Sequence, residues 1–156
     1  MDLGIERREL EPERLLTIEI ITSSERFDAD LSAAYGRLGA VLTEAGATFS
    51  GPGICAHPDR ETLPGEVAAI AGIPFMGAVE PHDGMRIEEL SGGPALVGTL
   101  RGAYEQLPEA WLELNGSLAE SEKPRPETAP YDRFLRSMVN VVNPDELITE
   151  LVIPLA

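Results

Sequence analysis

Glu150 is the acid whose setting in the chain is hardest to explain as simple solvation. In the run Ile148-Thr149-Glu150-Leu151-Val152-Ile153, strict alternation puts Glu150 on one strand face with Ile148 and Val152, while Thr149, Leu151 and Ile153 point the other way. A carboxylate in an apolar row must meet a cation, a hydrogen-bond donor or a proton. Such a group suits capture of a cation or general-base chemistry; the alternative is a solvent-facing glutamate on an edge strand. Asp132 is the second carboxylate. In Tyr131-Asp132-Arg133-Phe134 it shares a strand face with Phe134 and lies beside Tyr131, and an acid next to aromatic surface holds organic cations through charge and ring quadrupole together. The competing reading of Asp132 is a surface salt bridge to Arg133 or Arg136. Trp111 falls in an apolar helical stripe, where packing is the default role. Tyr104, in Arg101-Gly102-Ala103-Tyr104, precedes that helix and either lines an opening or staples the loop.

Other chemistries find little support. His57 and His82 are isolated, with no metal-ligand spacing. Cys55 has no basic neighbour in sequence to activate it, so a buried structural thiol is expected. The Ser-Gly-Pro-Gly and Ser-Gly-Gly-Pro stretches lack a phosphate-loop pattern and read as turns. Neither a metal nor a cofactor is expected.

The elements that would position these residues come in two copies. Pro64 to Phe75, PGEVAAIAGIPF, lies over Pro144 to Leu155, PDELITELVIPL, at an offset of 80 residues. The same offset sets Arg8-Glu9-Leu10 over Glu88-Glu89-Leu90 and Leu16 over Leu96. Helical patterns beginning at Ala34 (AYGRLGAVLTEAG) and Ala110 (AWLELNGSLAESE) match at an offset of 76, which places Tyr35 over Trp111. Repeat one is about 1–80 and repeat two about 81–156, within one domain over 1–156. Glu150 falls on Ile70, so the backbone position itself does not require a charge. Two copies of one unit tend to pack together, and the seam between them is a natural place for a pocket.

Within the first copy, Leu16, Ile18 and Ile20 alternate as a half-buried strand. Leu31, Tyr35, Leu38 and Leu42 follow as a helix with Asp28 or Asp30 placed to cap it and Gly46 to end it. A Gly51-Pro52-Gly53 turn, a short apolar segment at Ile54, a polar loop from His57 to Gly65 and a run from Val67 to Phe75 complete the copy. In the second copy the same order holds: a strand over Leu96 to Leu100, a helix with Leu107, Trp111, Leu114 and Leu118 on its stripe and Pro108 in its first turn, then a Pro-rich linker from Lys123 to Pro130. Tyr131 to Leu135 reads as a strand, Asn143 to Glu146 as a capped helical turn, and Leu147 to Ile153 as the closing strand. Strand, helix, strand, strand without the alternation of a parallel sheet gives an α+β class with largely antiparallel pairing.

Composition bounds the partners. With 156 residues and 43% apolar content the chain can build a sizeable core. A net charge of -15 repels phosphate backbones and anionic lipid, and favours cationic or neutral partners over nucleic acid. One cysteine rules out an intramolecular disulfide, and MDLGIERRELEPER holds no apolar run for a signal peptide or membrane span. A soluble, cytoplasmic protein is expected.

The segments GTLRGAYEQLPEAWLEL, APYDRFL and ELITELVIPLA together resemble the GyrI-like effector-binding domain, which also forms the ligand-sensing half of AraC-type and MerR-type regulators. The resemblance covers essentially the whole chain. It implies a tandem βαββ fold with pseudo-two-fold symmetry and a central cleft for small cationic or hydrophobic molecules. It matches Glu150 to the acid of the closing Thr-Glu motif, Asp132 to the acid after the aromatic in the preceding strand, and Trp111 and Tyr104 to the aromatic positions of the helix segment. Two positions depart from the pattern: Val152 stands where some members have an aromatic, and Asp132 where Glu is usual. With no helix-turn-helix or basic flank within these residues, the chain resembles the stand-alone members, some of which sequester compounds and some of which hydrolyse cyclopropane-bearing ones with a Glu and an aromatic. Two functions follow as expectations. One is capture of an amphipathic cation by Glu150 and Asp132 with Trp111, Tyr104, Tyr131 and Phe134 covering its faces. The other is hydrolysis in which Glu150 orients or deprotonates water. A protein partner, a regulator or an enzyme, is a third expectation.

Overall fold

The computed structural model describes residues 1–137 and 141–156. The fold is α+β, a tandem βαββ architecture with antiparallel pairing throughout the named ladders. The chain forms two compact units, Pro12–Ser91 and Met1–Glu11 with Gly92–Ala156.

In the unit Pro12–Ser91, β2 (Glu13–Thr22), α1 (Phe27–Glu44), β3 (Thr48–Phe49), β4 (Ile54–Ala56), β5 (Val67–Met76) and β6 (Met85–Leu90) follow in sequence. β5 pairs with β2 and β4, β2 also pairs with β6, and β3 adds a short ladder to β5. The apolar stripe of α1 behaves as its spacing predicts: Leu38 and Leu42 are fully buried, with Tyr35 and Leu31 packed at the margin, against Leu16, Ile18, Ala71 and Ile73. The capping expectation needs correction. Arg26 occupies the cap position with no side-chain capping bond, and Asp28 and Asp30 lie inside the first turn, where their charge favours the helix dipole. Asp30 instead accepts from Thr22 Oγ1 at 2.6 Å, tying the helix start to the end of β2. Gly46 stops the helix with φ of 75°, a conformation that only glycine adopts at no steric cost.

The second unit contains β1 (Leu3–Leu10), β7 (Gly93–Arg101), α2 (Leu107–Gly116), β8 (Tyr131–Arg136) and β9 (Ile148–Pro154). The strands lie in the order β1, β7, β9, β8. Leu96, Leu100, Ala110, Leu114, Leu151 and Ile153 form the core between sheet and helix. A single helical turn, Tyr104–Gln106, leads into α2, and another, Pro144–Glu146, precedes β9, with the Asn143 side chain accepting from the Asp145 amide at 3.0 Å. The Pro-rich stretch is irregular but anchored: Arg125 N–H donates to the Pro154 carbonyl at 2.8 Å. α2 ends at Gly116, short of Leu118. Asn115 and Ser117 turn their side chains back onto the carbonyls of Trp111 and Glu113, and glycine costs about 1 kcal/mol in a helix interior, so the pattern breaks there.

The two compact units differ from the two sequence repeats by one strand each. β1 is separated from β2 only by Glu11 and Pro12, yet it pairs along its whole length with β7, from Leu3 opposite Leu100 to Leu10 opposite Gly93. β6, from repeat two, likewise pairs with β2. Each unit therefore takes an outer strand from the other repeat. Among the described residues, no helix is long and apolar enough to cross a membrane.

Candidate functional site

The pleat of β9 sorts the site residues. Leu151 and Ile153 enter the core under α2, so Ile148, Glu150 and Val152 face the other side of the sheet. Residues directly opposite across a ladder share a face. Glu150 lies opposite Thr99 on β7 and Arg133 on β8, while Tyr131 lies opposite Val152. Arg8, opposite Ala95, joins the same face from β1.

Glu150 is 8% exposed, and β9 is an inner strand, so it is not a solvent-facing edge acid. Its Oε2 accepts from Arg8 Nη1 at 2.7 Å, and Arg133 Nε stands 4.0 Å from Oε1. Arg8 serves two carboxylates at once, because its Nε and Nη2 also donate to Glu6 Oε1, at 3.0 Å and 2.5 Å. The hydrogen bond to Glu150 holds the Arg8 guanidinium pKa above its ordinary value despite partial burial. Tyr131 is buried, with the Arg133 guanidinium 5.8 Å from its ring centre. The anion in an apolar row is thus compensated by cations. Arg8 and Arg133 are the site residues that spacing did not reveal. Arg133 stood out only as a partner for Asp132, and Arg8 carried no signal because β1 was not legible as a strand.

Asp132 and Phe134 alternate to the α2 side, opposite Leu151 and Thr149. Asp132 is 4% exposed, so it is not a surface acid, and its Oδ1 accepts from Trp111 Nε1 at 3.0 Å. Tyr104 and Phe134 meet edge to face with ring centres 6.0 Å apart. Thr149 is fully buried on this side, and its Oγ1 has no hydrogen-bond partner among the described residues. The expected binding residues therefore divide. Glu150 and Tyr131 share one face; Asp132, Phe134, Trp111 and Tyr104 gather on the other.

The other unit supplies the control. Ile70 lies opposite Glu19 and Ala56, and Cys55 lies opposite Ala71. At equal register, Ile70 stands for Glu150, Ala56 for Arg133 and Cys55 for Asp132. Tyr35 donates its hydroxyl to the Ile54 carbonyl of β4, as Trp111 donates to Asp132 of β8, so each helix bonds to the strand at the matching place in its unit. Cys55 is buried. Open hollows lie on this unit. One of about 380 Å³ lies at the end of α1 between Val41, Glu44, Val79 and His82, and one of about 250 Å³ is lined by Thr17, Glu19, Ile70 and Arg86. Among the described residues no group of three or more His, Cys, Asp or Glu side chains could hold a metal ion.

Residues 5–156 match the GyrI-like small molecule binding domain, and the chain belongs to that family. None of the curated proteins matches it significantly. Among solved structures, the EcmrR C-terminal domain superposes with a TM-score of 0.77 at 14% identity, covering 100% of this chain and 99% of that one. In the EcmrR–DNA complex the TM-score is 0.81 at 13% identity over 98% of this chain, which spans 57% of the EcmrR chain there. SAV2435 bound to tetraphenylphosphonium gives 0.62 at 11% identity, covering 98% of this chain and 94% of that one. A hydrolase from Listeria innocua gives 0.63 at 11% identity, covering 97% and 91%. These likenesses establish a common fold; the residues of the site carry the functional argument.

Proposed function

We propose that this domain captures an amphipathic organic cation on the sheet face that carries Glu150, with Glu150 supplying the opposing charge and Tyr131 an aromatic neighbour. One observation carries the reading: a buried carboxylate occupies a register position that is Ile70 in the other unit, and it is matched by guanidinium groups. Burying an ionised acid is costly and does nothing for a sheet that builds equally well around isoleucine, so the charge serves recognition. Asp132, Trp111, Phe134 and Tyr104 are the buttress behind β8, holding it against α2. SAV2435 bound to tetraphenylphosphonium provides the probe, an organic cation with four apolar rings. By analogy with EcmrR, found with DNA as part of a longer chain, ligand capture here serves a regulator or enzyme partner.

Calorimetric titration with tetraphenylphosphonium tests this. Glu150→Gln keeps the shape and removes the charge, and loss of a charge-assisted contact predicts about tenfold to hundredfold weaker binding. Equal affinity for the wild type and Glu150→Gln would remove the role assigned to the carboxylate.

Hydrolysis of an electrophilic, cyclopropane-bearing molecule is the second reading, supported by the fold shared with the Listeria innocua hydrolase. It places water on Glu150, where Arg8 already bonds at 2.7 Å. Recovery of intact compound after long incubation with the protein separates capture from turnover.

A further inference from the structure

We infer that Arg8 is a built-in competitor for the Glu150 site: it occupies the place of the ligand's charge in the empty protein, and an organic cation enters by displacing it onto Glu6. This rests on the reading of Glu150 as the cation-binding group.

The geometry of the three residues is graded from inside to outside. The Glu150 side chain is 11% exposed, that of Arg8 35%, and that of Glu6 58%. Arg8 reaches the inner acid through one nitrogen, Nη1 at 2.7 Å, and the outer acid through two, Nε at 3.0 Å and Nη2 at 2.5 Å. Letting go of Glu150 therefore costs Arg8 one bond, leaves two in place, and moves its charge toward water. Arg133 is the more buried of the two: its side chain is 14% exposed, its Nε lies 4.0 Å from Glu150, and its guanidinium sits by the Tyr131 ring. The repeat again isolates what the fold requires. Position 8 corresponds to Glu88 and position 150 to Ile70, so the other unit has neither member of the pair. An ion pair dispensable to the architecture, with one partner buried and the other already shared with an exposed acid, is suited to exchange.

Internal competition lowers apparent affinity by the fraction of molecules in which Arg8 has released Glu150. It also selects for charge. A neutral molecule of similar shape gives nothing to Glu150 in return for Arg8, whereas a cation replaces the lost charge.

The experiment compares tetraphenylphosphonium and neutral triphenylphosphine oxide by calorimetry and thermal melts in the wild type, Arg8→Gln, Glu6→Gln and Glu150→Gln. Arg8→Gln is expected to bind tetraphenylphosphonium about tenfold more tightly than the wild type and to gain a larger melting-temperature shift from it. The phosphine oxide should gain nothing. Glu6→Gln, which takes away the outer anchor, should bind the cation more weakly than the wild type. Equal or weaker cation binding by Arg8→Gln overturns the inference. Should that variant not fold, unchanged affinity in Glu6→Gln overturns it instead. Absence of cation binding in the wild type and all variants would overturn both this inference and the role proposed for Glu150, whereas binding lost in Glu150→Gln but unaltered in Arg8→Gln would overturn this one alone.

Discussion

Glu150 and Ile70 occupy the same rung of two like units: Glu150 stands between Thr99 and Arg133, and Ile70 between Glu19 and Ala56. The polar group is thus an addition to one copy, and so is the cation beside it. Arg8 faces Ala95, four residues along β7 from the Thr99 that faces Glu150. Its side chain must reach diagonally over β7 to make the 2.7 Å contact, passing Glu6 on the way.

Removing the two ends of this pair should have unequal effects on stability. Glu150→Ile copies the residue of the other unit and releases Arg8 to Glu6 and solvent, so its cost in urea denaturation is expected to stay within about 1 kcal/mol. Arg8→Gln leaves a buried carboxylate with Arg133 as its remaining cation, at 4.0 Å, and is expected to cost about 1 to 3 kcal/mol. The reverse order would mean that Arg8, rather than Glu150, is the group the fold has to compensate.

The link from Trp111 to Asp132 is expected to be structural. Trp111→Phe preserves the ring volume and deletes the donor to a buried carboxylate, which predicts a loss of about 1 to 3 kcal/mol with cation affinity little changed. Trp111 is the single tryptophan, so its fluorescence reports the α2 side of the sheet alone. Saturating tetraphenylphosphonium on the Glu150 face should leave its emission maximum in place. A large shift on titration would move the ligand to the side of Asp132, Phe134 and Tyr104.

Much of this arrangement was readable from residue order, and what was not has identifiable causes. β2 alternates at Leu16, Ile18 and Ile20, and once β9 is read as a strand the opposite faces of Glu150 and Leu151 follow from parity. The stripe of α1 and the equivalence of Tyr35 and Trp111 followed from helical spacing and the repeat offsets. β1 and β6 were invisible as strands. In β1, Glu6 and Arg8 lie on one face and Arg7 and Glu9 on the other, so no apolar alternation survives past Ile5. Arg8 was lost with β1, because an arginine 142 positions from Glu150 is brought close only by strand pairing that exchanges the first strands of the repeats. Asp132 and Glu150 looked like two halves of one site since both flank aromatic or apolar residues. Only the register of β8 against β9, which sets Asp132 opposite Leu151 and Arg133 opposite Glu150, separates them.

Duplex DNA should not bind to this chain at physiological salt. With a net charge of -15 and 12 basic residues against 27 acidic ones, too few cations are available to release phosphate counterions. Several of those cations are also engaged: Arg7 with Glu122, Arg8 with Glu150, and Arg60 with Glu19. Fluorescence anisotropy with a labelled duplex checks this, and micromolar affinity that weakens steeply with added salt would contradict it.

The last prediction concerns acid stability. Arg7 on β1 grips Glu122, beyond α2, through two nitrogens at 2.6 Å and 2.9 Å, and Glu122 also accepts from the Ala119 amide at 2.8 Å. The Arg7 hydrogen bond, with the amide's help, holds the Glu122 carboxyl below its ordinary 4.5 in the folded protein. Because the folded value is depressed, the unfolded chain takes up the proton first as pH falls. The stabilisation is therefore complete above pH 4.5 and is lost as pH drops from there through the folded value. Arg7→Gln should be less stable than the wild type at pH 7, with the gap narrowing below that point. Urea midpoints for both proteins across a pH series give the test. A gap that stays constant down to the lowest pH would show that Arg7 stabilises β1 by packing and not through Glu122.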